Sequence, residues 1–459
     1  MDARTRRLLE APVGPTIIRL ALPNVAVMVV QASIGLIETY FVARLGLDAL
    51  TGMALVFPLL MLLQMVSAGA MGGGILSAIA RALGSGRREE ANGLVWHAVA
   101  ITVLLGTLTT VAAFAFAPRL FTAMGGREGS LAAALLYANI VFAAAVPLWL
   151  FNSLAAVIRG TGNMVFPAAV IVVGAIILIP LSPVLIFGYG PLPHLGVAGG
   201  ALAIVLYYCV GTVVFAVYIW SGRSVLKPSL LPPRLSWPPL RDILRVGALS
   251  SLVSISTNVT AAVATGLAGL VGSAAVAGYG TGVRLEYLLV PLVFGLGAPT
   301  AAMVGTCIGA GNRERALKVA WTGAIIAGLI TEVIGIAAAL WPAAWLSLFG
   351  DDPQMIAVGS DYLRIVGPTY GFFGFGLTLY FASQGAGRMT WPMLAALLRV
   401  AIAAGGGWLA VIAFGQSNGL FVALAVALVV YGVANGLIVA SGAWFREPAK
   451  ARAVAGQPA

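Results

Sequence analysis

Asn24, Gln31 and Glu38 recur at steps of seven in an otherwise apolar run, so one helix face carries a polar stripe ending in a carboxyl group. Glu38 stands six residues before Arg44, roughly 9 Å along a helix that rises 1.5 Å per residue. Hydrocarbon does not tolerate such a face, and an ionisable group inside an apolar span points to a proton or ion path. A carboxyl kept from water favours its neutral form, which equips it to exchange a proton near neutral pH. The competing expectation is a structural pair between Glu38 and Arg44 or another cation.

The second half of the chain has Ala264 at the matching place and its own charges at Arg284, Glu286, Glu332, Arg364 and Arg399. Three cations among two carboxylates predict buried ion pairs, with Glu286 kept as a second candidate coupling carboxyl and Glu332 leaning to structure. Ser251, Ser254, Asn258 and Thr265 share one helix face, suited either to a wet cleft or to close helix contact. The run TYGFFGFGLTLYF from Thr369 offers Tyr370, Phe372, Phe373, Phe375 and Tyr380, faces that attract flat organic cations or simply pack. Met61, Gln64 and Met65 suit an adaptable pocket wall. Tyr137 and Asn152 complete the candidate cavity set. Cys209, Cys307, His97 and His194 are too scattered for a metal site, and no resident cofactor is expected.

The elements that position these residues must lie in a bilayer. Of 459 residues 60% are hydrophobic and 9% charged, and 57 glycines add to the apolar share. A soluble chain carries about 25% charged residues, so too little polar surface remains to cover a water-soluble core. That excludes a soluble enzyme and a nucleic-acid binder despite the net charge of +11. Spanning helices need about 20 apolar residues. Twelve such runs are expected at 16–43, 52–80, 94–117, 131–156, 164–188, 195–220, 243–271, 277–306, 317–346, 355–382, 391–414 and 418–444.

Twenty of the 26 Lys and Arg fall on the termini and even-numbered connections. Only Arg44, Arg119 and Arg127 fall on the other side, and Arg284, Arg364 and Arg399 lie inside spans. Positive loops stay in the cytoplasm. Both ends are therefore expected inside, in a multi-pass inner (cytoplasmic) membrane protein whose N-terminal leader is retained.

The chain is also written twice. Gly160, Gly162, Met164 and Pro167 each precede Gly385, Gly387, Met389 and Pro392 by 225 residues, and Tyr137 meets Tyr362 at the same offset. Gly84-SGRREEA pairs with Gly309-AGNRERA. Six spans per copy return the chain to its starting side, so the copies are parallel repeats of the kind found in secondary transporters. The expected fold is all-α: a tail 1–15, a first lobe 16–220, a basic linker 221–242, a second lobe 243–445 and a tail 446–459.

Several segments resemble the multidrug and toxic compound extrusion (MATE) family, in its prokaryotic DinF-like branch. They are Glu38-TYFVARLGLDAL, Gly84-SGRREEA, Arg159-GTGN, Arg284-LEYLLVPLVFGLGAP and Gly309-AGNRERA, and the likeness covers about residues 15–445. It implies two six-helix lobes in a V, export driven by inward proton or sodium flow, and amphipathic organic cations as cargo. Glu38 stands where the family usually has an aspartate, and Glu286 in the family's arginine–leucine–glutamate run implies a role in the second lobe. Leu178 and Ser182 stand where an asparagine and an aspartate are common, and Ile204 where a threonine is usual. Sodium wants several oxygen ligands, so these departures favour a proton as the coupling ion. A lipid-linked oligosaccharide flippase of the same superfamily is the alternative, and would need Arg284, Arg364 and Arg399 in its cavity. A membrane enzyme would need clustered Asp, His or Cys at a membrane face, which the sequence lacks. A monomer is expected, since two lobes make a complete path in one subunit.

Overall fold

The computed structural model describes residues 2–189 and 193–445; the expected tail at 446–459 lies outside the described residues. Among those residues, eleven helices are long and apolar enough to cross a bilayer, and one bent pair makes a twelfth span. We number the spans α1 (Val13–Ala43), α2 (Leu47–Gly84), α3 (Arg88–Ala123), α4 (Glu128–Ala143 with Ala145–Gly160), α5 (Val165–Phe187) and α6 (Val197–Trp220). The second set is α7 (Trp237–Val271), α8 (Ser273–Gly309), α9 (Arg313–Leu340), α10 (Pro353–Gly385), α11 (Thr390–Ala413) and α12 (Ser417–Ala440). A short helix, Ala3–Glu10, precedes them. Helices satisfy their own backbone groups, which is what hydrocarbon demands.

The helices overrun the apolar runs. α3 begins at Arg88 rather than near 94, and its first turn carries Glu89 and Glu90, which the positive end of the helix dipole favours. α9 stops at Leu340 rather than 346, because Pro342 follows and opens a separate short helix, Pro342–Leu346. The linker is more ordered than a basic, proline-rich connector suggests. Trp96 and Trp220 both donate to the Ser229 carbonyl, at 3.0 and 3.2 Å, and Asn92 accepts the Lys227 amide at 2.8 Å.

Two spans are interrupted inside the bilayer. α4 bends by 52° around Ala144, three residues before Pro147, whose ring removes a helix donor. The carbonyl of Phe142 at the break is taken by the Thr110 hydroxyl of α3 at 2.7 Å. α10 narrows to a 3-10 turn at Gly367–Thr369, around Pro368. α2 carries a π-helical stretch, Met65–Met71, at mid-span.

Contacts divide the chain into two compact units. The first comprises the chain up to Ile255 together with Val290–Val319, the second Ser256–Leu289 together with the chain from Ala320 onward. In the first, α2 packs on α4, α5 on α6, and α1 on α5. In the second, α10 and α11 both pack on α12. The entry turns of the spans repeat as the sequence does: Gly162 and Gly387 adopt φ of +79° and +72°, a left-handed geometry that suits glycine.

Candidate functional site

Glu38 is 6% exposed on α1. Its helix face carries Ile34 one turn before it and Val42 one turn after it. Ile34 packs on the cluster Leu178, Leu185 and Ala203, and Val42 belongs to the cluster Ala49, Met53 and Ile186. The carboxyl therefore sits between two apolar layers. Its polar contact is Tyr137 of α4, whose hydroxyl donates to Oε1 at 3.3 Å. A Cβ on Gly200 of α6 would lie 3.6 Å from that same oxygen, so the glycine leaves room beside the carboxyl. Arg44, the pairing partner weighed from sequence, instead bonds the Tyr40 hydroxyl and lies 4.7 Å over the Tyr40 ring.

A second polar cluster lies in the same unit. Asn152 of α4 donates to Gln64 Oε1 at 3.0 Å and to Ser67 Oγ at 2.8 Å. Ser67 belongs to the π-helical stretch, whose altered winding changes which side chains of α2 turn toward α4. The amide of Asn24 and the hydroxyls of Ser153 and Ser182 are buried without a hydrogen-bond partner. Gln31 is half-buried on α1. Met61 is 45% exposed, and no described contact brings it to Glu38 or Asn152.

In the second unit Glu286 of α8 meets Arg399 of α11, Oε1 to Nη2 at 3.3 Å. Its other oxygen accepts from the Tyr362 hydroxyl at 3.4 Å. Arg399 lies 5.5 Å over Phe373 and 5.6 Å over Tyr431. Tyr370 is fully buried, with its hydroxyl unpartnered.

Of the second-half charges, Glu286 and Arg399 form a buried ion pair of the kind expected, while the others find different settings. Arg284 is exposed and stacks 5.0 Å over Phe349, and Arg364 is exposed. Glu332 accepts the Gly371 amide at 2.7 Å, which caps the N–H left loose by the interruption of α10. The hydroxyl face of α7 also turns back on its own helix. Ser251 donates to the Gly247 carbonyl at 2.9 Å and Ser254 to that of Ser250 at 3.3 Å, while Asn258 is exposed.

Sequence reasoning missed Ser67 and the pairing of Arg399 with Glu286. The first leaves no signal, since π winding has no composition of its own. The second was hinted at by the excess of intramembrane charge, but not which arginine would pair.

Two stretches of the chain, 23–184 and 250–409, match the MatE family model. A curated relative named as an FAD transporter of Shewanella oneidensis is 28% identical over 371 residues, covering 80% of this chain and 81% of that one. A probable multidrug resistance protein NorM of Thermotoga maritima is 27% identical over 386 residues, covering 84% and 82%. A crystal structure of a MATE protein in a bent conformation superposes with a TM-score of 0.89 at 24% identity, over 97% of this chain and 98% of that one. With twelve spans in hand and its family model matched in both halves, this chain belongs to the MatE family of multi-pass membrane transporters.

Proposed function

We propose that the protein exports amphipathic organic cations from the cytoplasm in exchange for protons, with Glu38 as the proton-carrying group. The observation that carries this is the setting of Glu38. It is buried between two apolar layers, with a tyrosine and no cation at its carboxyl among the described residues. A carboxylate so placed is costly and a carboxylic acid is not, so protonation state and the seating of α1 depend on one another. Leu178 in the neighbouring apolar cluster supplies no oxygen for sodium. The twenty-to-three split of basic residues supports a cytoplasmic placement of both ends of an even-span chain.

The relative named as an FAD transporter supports a second reading, an anionic aromatic cargo. Exposed Arg364 would be its contact. A flippase needs a cationic cavity, and Arg399 is already neutralised by Glu286.

The test uses purified protein in liposomes loaded with ethidium or with FAD, under an imposed pH gradient and then a sodium gradient. Ethidium movement driven by the pH gradient and lost in E38Q is expected. Movement driven by sodium alone would overturn the coupling ion, and movement of FAD alone would overturn the cargo.

A further inference from the structure

Tyr137 and Tyr362 occupy the same place in the two repeats, 225 residues apart. Each donates its hydroxyl to a carboxyl group, Tyr137 to Glu38 at 3.3 Å and Tyr362 to Glu286 at 3.4 Å. The carboxyls are not equivalent, however. Glu38 comes from the first span of its half, where the second half has Ala264; Glu286 comes from the second span of its half, where the first has Met61. A tyrosine–carboxyl pair is thus kept in both halves while the acid arrives from different helices.

One more difference separates the two sites. The second contains Arg399, and the matching residue of the first half is Gly174. The side chains of Arg399 and Glu286 are 8% and 13% exposed, with one contact at 3.3 Å. Phe373 and Tyr431 hold the guanidinium through their ring faces. The groups around the pair are Tyr279 and Tyr287 from α8, Thr257 and Thr260 from α7, and Tyr362 and Tyr370 from α10. Glu332 of α9 is occupied by the Gly371 amide. The void touching both members of the pair measures about 30 Å³, space for about two water molecules.

We infer that Arg399 acts as a tethered cation at Glu286, filling from within the chain the place that a coupling ion would otherwise take. Glu286 then stays ionised and exchanges nothing with solution. On the exchange reading above, which this deepens, each cycle moves one proton, bound and released at Glu38 alone. Removing one member of a buried pair leaves the other charge uncompensated, so loss of Arg399 obliges Glu286 to find a proton.

The experiment is infrared difference spectroscopy of the full-length protein in liposomes across a pH titration, with the ratio of protons to ethidium measured alongside. In the native chain the titrating buried-carboxyl band is lost in E38Q and kept in full in E286Q. R399Q gains a second band, about doubling the signal, which E286Q/R399Q removes, and its proton ratio rises from one toward two. R399K, which keeps the charge, gains none. A native band that E286Q cuts by about half overturns the inference, and so does a folded R399Q without a second band. The E286Q arm decides the matter even if R399Q does not fold. A protein that moved no ethidium would defeat the exchange reading and leave the infrared result to judge Arg399 separately.

Discussion

Gly84 and Gly309 are repeat partners, and each is pressed against the helix that carries the other. A Cβ on Gly84 would lie 2.1 Å from the Thr306 carbonyl oxygen, and a Cβ on Gly309 would lie 2.1 Å from that of Arg81. Arg81 and Thr306 are themselves partners at the same offset. The contact is therefore two-fold symmetric, backbone on backbone, between the closing turns of α2 and α8 inside the first unit. Beside it Arg81 bridges to Asp242 at the start of α7.

Alanine at either position drives a methyl group into a carbonyl. Overpacking of this kind costs about 1–3 kcal/mol. We expect G84A and G309A to lower the melting temperature and to part the two helix ends. Cys307, fully buried two residues before Gly309, is the native reporter. Its labelling by a membrane-permeant thiol reagent should accelerate in both variants. Native-like protection of Cys307 in a folded G309A would show that the seam does not depend on the glycines.

On the proposed exchange reading, variants at Glu38 and Tyr137 separate proton carriage from positioning. E38Q keeps the volume and removes the titration, so dye efflux driven by a pH gradient should vanish while membrane insertion is unchanged. Y137F deletes one hydrogen bond at 3.3 Å, a contribution of about 1 kcal/mol. Efflux should survive at about a fivefold lower rate, that being the same energy expressed as a ratio. Equal loss in both variants would make Tyr137 part of the proton path.

Much of this organisation was legible in the sequence because membrane solvation and duplication leave periodic traces. The Tyr137–Tyr362 offset was visible before any contact was known, and the stripe from Asn24 to Glu38 followed from helix geometry. What stayed hidden depends on which residues of distant helices meet. Arg284, Arg364 and Arg399 read alike as intramembrane cations, yet only Arg399 faces a carboxylate, 113 residues away, and two ring faces. The span ends drifted where charged residues continue a helix, as at Arg88–Glu90. For the hydroxyls on α7, cavity lining and helix contact stayed equally open, because sequence does not reveal that a serine bonds the carbonyl four residues back.

Glu332 tests the difference between a structural and a coupling acid. Its Oε2 accepts the Gly371 amide where α10 is interrupted. E332Q retains an acceptor oxygen, so folding and efflux should both hold. E332L leaves the half-buried amide without this partner, at about 1 kcal/mol, and should lower the melting temperature. Loss of efflux in a fully stable E332Q would place Glu332 on the ion path instead.

Asp2 offers a pH response outside the membrane. Its Oδ1 accepts the backbone amides of Arg4 and Thr5, at 2.9 and 3.1 Å, capping the N-terminal helix. Partial burial pushes the carboxyl pKa up, but the bonds from Thr5 and Arg4 outweigh burial and hold it below the usual 3.8. A lowered folded pKa means that the cap contributes in full above the free-carboxyl value and is lost as pH falls through the folded one. Downstream, Leu8 fills the space over Gly162, and Arg315 donates to the carbonyls of Leu8 and Ala11. A spin label at Leu9→Cys, with Cys209 and Cys307 replaced by serine, should therefore stay immobile at pH 6 and loosen below the usual carboxyl value. D2A, which removes a cap contributing about 1 kcal/mol, should be looser at both. A label equally rigid throughout would show that Leu8 and Arg315 hold the helix without the cap.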